Sequence, residues 1–183
     1  MIKSIRIHGR GGQGNVTASE FLAEAAFEDG LFALAFPMFG SERHGAPVTA
    51  YVRISDSPIR LRSQVYEPDY VIVQDSSLMD GIDTLEGLRE GGLVVINSRL
   101  PSSHFDIPDR YRVVTVPATE LALEIVGKPI INTIMVGAFA AASGEIRLDA
   151  LERSVRTRYP GELGEKEIVA MKKAYDDIRG VSA

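Results

Sequence analysis

The sequence contains no cysteine among its 183 residues. Disulfides, thiolate nucleophiles and iron–sulfur ligation by this chain are therefore excluded, because each requires a cysteine sulfur. No apolar run approaches the roughly 20 residues that a membrane-spanning helix needs. No charged and then apolar leader precedes the first predicted strand, so we expect a soluble, cytoplasmic protein.

The sequence also lacks an excess of basic residues, since its formal net charge is −5. Nucleic acids and anionic membranes attract a basic face, and neither is expected as the main partner. The hydrophobic content of 45% is enough for a chain of this length to bury one substantial core. We therefore expect a single domain spanning residues 1–183.

A glycine-rich turn follows the first predicted strand. Apolar residues alternate at Ile5 and Ile7, the turn is Gly9-Arg10-Gly11-Gly12-Gln13-Gly14, and a helical pattern begins near Asn15. The G-x-G-x-x-G spacing lets backbone N–H groups and a helix N-terminus approach an anion, because glycine has no Cβ. The guanidinium of Arg10 suits a phosphate or a carboxylate. A tight turn that binds nothing is the alternative interpretation.

The acidic residue that would complete a nicotinamide site is missing. A dinucleotide fingerprint requires an Asp or Glu after the second strand to hold the ribose hydroxyls. Here the second strand is predicted at residues 31–36, and Pro37-Met38-Phe39-Gly40 follow it. NAD is therefore disfavoured.

Residues 37–47 form the most unusual predicted loop. Two prolines and two glycines fix its shape. Neither a core nor a plain solvated loop requires its mixture of apolar and charged side chains, so we expect a functional or interface role for Met38, Phe39, Glu42 and His44. His44 alone is a poor candidate for a catalytic base, because no partner for it can be identified.

The rest of the chain alternates predicted strands and helices. Residues 48–54 and 59–62 read as a hairpin that makes the sheet mixed and puts Arg60 and Arg62 on one polar face. Buried strands are predicted at residues 70–73, 93–96 and 113–116, and helices at residues 80–90, 118–126 and 132–143, with two amphipathic helices after them. Asp75 and Ser76 follow the first of these strands, where they either face a ligand crevice or cap the next helix.

Several motifs, in order, resemble one family. They are the glycine turn, residues 36–47 with their Glu-Arg-His-Gly-Ala-Pro sequence, Pro58-Ile59-Arg60, the Pro-Asp-Tyr-Val-Ile-Val segment at residues 68–73, and residues 132–138. Together they resemble the gamma subunit of 2-oxoacid:ferredoxin oxidoreductases over nearly the whole chain. Glu-Arg-His-Gly-Ala-Pro is most similar to the pyruvate branch, since the 2-oxoglutarate and indolepyruvate branches more often show Arg-Gly-Gly there.

The resemblance implies a division of labour between subunits. Complexes of this family oxidatively decarboxylate pyruvate to acetyl-coenzyme A and pass electrons to ferredoxin. Their thiamine diphosphate and iron–sulfur clusters lie on alpha, beta and delta-type partner subunits. This chain would then have no catalytic residue, no metal and no cofactor of its own, would be inactive alone, and would meet ferredoxin only indirectly. Gly9 to Gly14 and Arg43 would help to bind coenzyme A.

The fold implied by the resemblance is a three-layer α/β/α sandwich. It has a mixed, mostly parallel sheet, a Rossmann-like glycine turn and an inserted β-hairpin. Two other interpretations stay open at this point: a free-standing nucleotide-binding oxidoreductase of Rossmann type, and a purely structural subunit whose glycine turn packs on a neighbour.

Overall fold

A computed structural model of the chain describes residues 1–38 and 45–181. Six strands form its sheet: β1 (Ile2–Arg10), β2 (Phe32–Pro37), β3 (Pro47–Ser55), β4 (Tyr70–Val73), β5 (Leu93–Asn97) and β6 (Arg112–Val116). Their order is β2-β3-β1-β4-β5-β6, with β1, β4, β5 and β6 parallel and β3 antiparallel to both of its neighbours. An α/β fold with a mixed sheet is thereby confirmed.

The α-helices pack on one face of this sheet. They are α1 (Asn15–Glu28), α2 (Ala118–Leu121), which continues as a π-turn to Val126, α3 (Asn132–Ser143), α4 (Leu148–Arg158) and α5 (Glu162–Val181). The largest fully buried side chains of this main core include Phe21, Phe139, Leu151 and Met171. Helix α3 is buried on every side over residues 132–140, as its uninterrupted apolar sequence predicts.

The opposite face is covered by short turns in place of α-helices. Val71, Val73, Val94 and Ile96 form a second, smaller core there, beneath partly buried side chains from residues 79–111. The helix predicted at residues 80–90 is wrong, since only a 3-10 turn forms over Ser76–Asp80. Gly87 has a φ of 70°, which lies outside the right-handed helical region, so the segment is not helical there; a Cβ at this position would also lie 2.0 Å from the carbonyl oxygen of Tyr66.

Two buried arginines, one on β1 and one on β3, donate hydrogen bonds to the irregular segments that lie over this face of the sheet, here called the cover. Arg6 Nη2 donates to the carbonyl oxygens of Thr84 and Glu86 at 3.1 and 2.5 Å. Arg53 Nη1 and Nη2 donate to the carbonyl oxygens of Leu61 and Gln64 at 3.3 and 3.0 Å. The guanidinium groups thus supply the hydrogen bonds that the cover's backbone does not obtain from a helix or a strand.

The hairpin predicted from residues 48–54 and 59–62 is also wrong. Strand β3 forms, but it pairs with β1 and β2, and residues 59–62 are in no strand. Between Pro58 and β4 the chain has no regular structure, and the carbonyl oxygen of Leu61 accepts a hydrogen bond from Arg53 Nη1. Arg60 and Arg62 are exposed on this irregular segment.

Candidate functional site

The glycine turn joins the end of β1 to the start of α1 through two left-handed residues. Gly12 has a φ of 93°, and Gly14, the N-cap of α1, has a φ of 76°. Cβ atoms would also clash here, since one on Gly9 would lie 2.2 Å from Asn15 Oδ1 and one on Gly14 would lie 2.6 Å from Asn132 Nδ2. Glycine is therefore needed both for the backbone conformation and for the close packing of this corner.

The backbone amides of the turn divide into occupied and available donors. Gly11 N donates to the Ala46 carbonyl at 2.8 Å, and Gln13 N donates to the Arg10 carbonyl at 3.0 Å. The first helical bond of α1 runs from Ala18 N to the carbonyl of Gly14. The N–H groups at residues 14–17 precede that bond and have no partner within the helix. They form the positive end of α1, which attracts an anion.

Arg10, four residues before the N-cap of α1, lies within a hydrogen-bonded network. Its Nε donates to Asp75 Oδ2 at 2.9 Å, its Nη2 to Ser77 Oγ at 2.8 Å, and its Nη1 to the carbonyl oxygen of Gly45 at 3.2 Å. Gln13 joins the network, since its Nε2 donates to Asp75 Oδ2 at 3.3 Å and its Oε1 accepts the Arg10 N–H at 2.6 Å. The turn after β1 is thereby tied to the turn after β4.

The Asp75 carboxylate is the acceptor at the centre of this network. Ser77 donates to Asp75 Oδ1 through its N–H and its hydroxyl group, at 3.1 and 2.6 Å, so Asp75 also caps the 3-10 turn that follows. Partial burial raises the pKa of Asp75, but hydrogen bonds from Ser77, Arg10 and Gln13 outweigh it and hold the pKa below its usual value. The carboxylate is therefore ionised at neutral pH and forms an ion pair with Arg10.

A polar crevice of about 440 Å³ opens beside the network. Its lining comes from the glycine turn, the ends of β4 and β5 and the start of α2, and it includes Gln13, Asp75, Asn97, Arg99 and Thr119. Asn97 is held in place, because its Oδ1 accepts the N–H groups of Ala118 and Thr119. The crevice adjoins the point between β1 and β4 where the strand order reverses, which is where open α/β sheets bind ligands.

The structure brings Gly9 to Gly14 together at one corner. Arg43, Phe39, Glu42 and His44 lie outside the described residues. Their segment returns to the glycine turn at Gly45, whose N–H donates to the Gly11 carbonyl at 3.2 Å. Met38, at the other end of the segment, is 42% exposed, and its Sδ accepts the Tyr51 hydroxyl at 3.4 Å.

Sequence reasoning offered Asp75 for this site as one of two alternatives, and it did not single out Ser77. The position of Asp75 after β4 left a cap and a crevice residue as alternatives, and Asp75 serves as both. Ser77 had no signal in the sequence, because its contact with Arg10 depends on the pairing of two strands that are far apart in the chain.

Residues 1–38 and 45–181 lack two further features. No helix there is both long enough and apolar enough to span a bilayer. No group of three or more His, Asp or Glu side chains in the same residues is arranged to hold a metal ion.

Comparison with known proteins identifies the family. Residues 4–177 match the family model described as pyruvate ferredoxin/flavodoxin oxidoreductase. The chain is 52% identical to the pyruvate synthase subunit PorC of Methanosarcina barkeri, over all of both chains. It is 46% identical to the common gamma subunit of the pyruvate and ketoisovalerate oxidoreductases of Thermococcus litoralis, over 94% of this chain and 95% of the relative.

Solved structures agree. The pyruvate oxidoreductase subunit PORC of Thermotoga maritima superposes with a TM-score of 0.84 at 34% identity, over 96% of each chain. The 2-oxoglutarate:ferredoxin oxidoreductase of Magnetococcus marinus, solved with 2-oxoglutarate, coenzyme A and succinyl-CoA, shares the fold, with a TM-score of 0.81 at 20% identity. The match covers 98% of this chain but only 31% of that longer one. The chain belongs to the family of gamma subunits of pyruvate (2-oxoacid):ferredoxin oxidoreductases.

Proposed function

We propose that this gamma subunit helps to bind coenzyme A in a complex that converts pyruvate to acetyl-coenzyme A and reduces ferredoxin. Alpha, beta and delta-type subunits would complete the complex and carry the thiamine diphosphate and the iron–sulfur clusters. The absence of cysteine supports this division, because such clusters are held by cysteine thiolates. The single domain of this chain would contribute a phosphate-binding corner to the assembly.

The observation that carries the proposal is the convergence of two anion-binding features at one corner. The N-cap of α1 and Arg10 belong to the same glycine turn, and Gln13, one residue before the N-cap, shares the Asp75 carboxylate with the guanidinium of Arg10. A guanidinium has five N–H donors, of which Asp75, Ser77 and Gly45 use three among the described residues. One N–H therefore stays available on each terminal nitrogen, and such a pair matches the spacing of phosphate oxygens.

A second observation supports coenzyme A over a nicotinamide nucleotide. Strand β3 lies between β1 and β2, so β2 does not lie beside the glycine turn as the second strand of a Rossmann fold does. The four residues directly after β2, at positions 38–41, include no acidic side chain to hold a ribose. The Magnetococcus marinus enzyme, which has the same fold in part of its chain, was solved with coenzyme A and succinyl-CoA.

Substitution of Arg10 in the assembled complex tests the proposal. A charge-assisted hydrogen bond contributes about 1.5 to 3 kcal/mol, so Arg10→Ala should raise the KM for coenzyme A about ten- to a hundredfold. Oxoacid decarboxylation measured without coenzyme A should be unchanged, because thiamine chemistry would take place on another subunit. The exposed Arg60 is the matched control, and Arg60→Ala should leave the KM for coenzyme A unchanged.

Two outcomes would contradict the proposal. Equal loss of both reactions in Arg10→Ala would mean that the turn supports the thiamine site or a subunit interface. No change in either reaction would favour a purely structural subunit, in which the glycines only turn the chain.

A further inference from the structure

We infer that Asp75 is a positioning residue, which orients Arg10 and Gln13 for the phosphate groups of coenzyme A. The inference rests on the proposed coenzyme A function and adds a residue that acts through Arg10 and Gln13. Its basis is the geometry of the network between β1 and β4.

The carboxylate of Asp75 links four groups from two separate turns. Its Oδ2 accepts from Arg10 Nε and Gln13 Nε2, both on the glycine turn. Its Oδ1 accepts from the backbone and the hydroxyl of Ser77, on the turn after β4. Since β1 and β4 are adjacent parallel strands, the carboxylate has rigid support on both sides.

This arrangement determines which donors of Arg10 are left for a ligand. Asp75 binds the Nε–H directly, and it orients the Ser77 hydroxyl, which accepts from Nη2. With those donors held, the guanidinium plane has a defined direction before the ligand arrives. A flexible arginine would have to lose its rotamer entropy on binding, so pre-orientation increases affinity without adding a contact.

Gln13 is held in the same way. Its amide is bound at both ends, by Asp75 at Nε2 and by the Arg10 N–H at Oε1. The side chain therefore braces the glycine turn in its left-handed conformation. Loss of the Asp75 carboxylate would release both Arg10 and Gln13.

A double-mutant cycle in the assembled complex separates positioning from direct binding. Asp75→Ala should raise the KM for coenzyme A about tenfold while kcat and coenzyme A-independent decarboxylation stay within about twofold. In an Arg10→Ala background the same substitution should change KM by less than about twofold, because the group that it orients has gone. Ser77→Ala, which removes one support, should raise KM about threefold.

The exposed Asp80, five residues along the chain, is the matched control, and Asp80→Ala should leave KM unchanged. If Arg10→Ala does not affect KM, the coenzyme A proposal itself fails. If Arg10→Ala raises KM but Asp75→Ala does not, or if Asp75→Ala has its full effect without Arg10, the positioning inference is overturned. Should Asp75→Ala not assemble, the same cycle with Ser77→Ala decides the question.

Discussion

His8 should make the stability of this subunit depend on pH in a defined direction. The imidazole is buried on β1, and its Nε2 accepts the Nε–H of Arg6 at 3.0 Å. Burial and, after it, the positive charge of Arg6 lower the pKa of His8 from 6.5 to about 4. The hydrogen bond agrees with this direction, because a proton on Nε2 would face the N–H of Arg6.

The two pKa values give the sign and the size of the effect. The unfolded chain binds a proton on His8 once the pH falls below 6.5, whereas the folded protein binds it only near pH 4. The contribution of neutral His8 to the free energy of unfolding is therefore fully present above about pH 6.5, and it is lost as the pH falls toward 4. The interval between the pKa values corresponds to about 3 kcal/mol, of which about 2 kcal/mol would be lost between about pH 7.5 and about pH 5.

Urea unfolding of the wild type and of His8→Gln at those two pH values tests this prediction. Glutamine does not titrate, and its side-chain oxygen can still accept the Arg6 N–H. The difference in unfolding free energy between wild type and variant should shift by about 2 kcal/mol against the wild type at the lower pH. The exposed His104 is the control, and His104→Gln should follow the wild type at both values. An equal difference at both pH values for His8→Gln would refute the reasoning.

Two further predictions concern the cover of the second sheet face, and both are checked by urea unfolding. Arg6→Lys should lower the unfolding free energy by about 2 kcal/mol, because one ammonium group cannot replace both Nη2, which binds the carbonyl oxygens of Thr84 and Glu86, and Nε, which donates to His8; Arg60→Lys, on the surface, should cost almost nothing. Gly87→Ala should cost at least about 3 kcal/mol, since its φ is 70° and its Cβ would overlap the carbonyl of Tyr66. Gly91→Ala has a similar φ but open space, and should cost about 1 kcal/mol. Equal costs at the two glycines would show that the overlap is relieved.

The sequence predicted those elements whose pattern depends on local burial. Strands β4 and β5 are continuous apolar runs, because both faces of the sheet are covered, and α3 is apolar all round because it lies inside the helical layer. The two wrong predictions, the hairpin and the helix at residues 80–90, fall on segments whose carbonyl groups are bound by arginine side chains and not by a neighbouring strand or a helical turn. In residues 59–62 apolar and charged side chains alternate as they do in a strand. The carbonyl oxygen of Leu61, however, accepts its hydrogen bond from the guanidinium of Arg53 and not from a neighbouring strand. Leu85 and Leu88 have helical spacing, yet they pack on the second core from a non-helical segment.

The site was predictable only in its local part. The glycine turn shows in the sequence because the left-handed backbone at Gly12 and Gly14 requires glycine. The ion pair between Arg10 and Asp75 does not, because these residues are 65 positions apart and meet through the parallel pairing of β1 and β4. From the sequence, an arginine in a glycine turn is expected to have its whole guanidinium free for a ligand. In the structure, one of its N–H groups already donates to the carboxylate of Asp75.

The hydrogen bonds of Arg6 and Arg53 to the cover end on main-chain oxygens, which every residue type possesses. Side chains at Leu61, Gln64, Thr84 and Glu86 can therefore be exchanged without removing the bonds that attach the cover to the sheet. Substituting either arginine, by contrast, removes the fork itself. The attachment of the cover to the sheet is thus independent of which side chains these four residues carry.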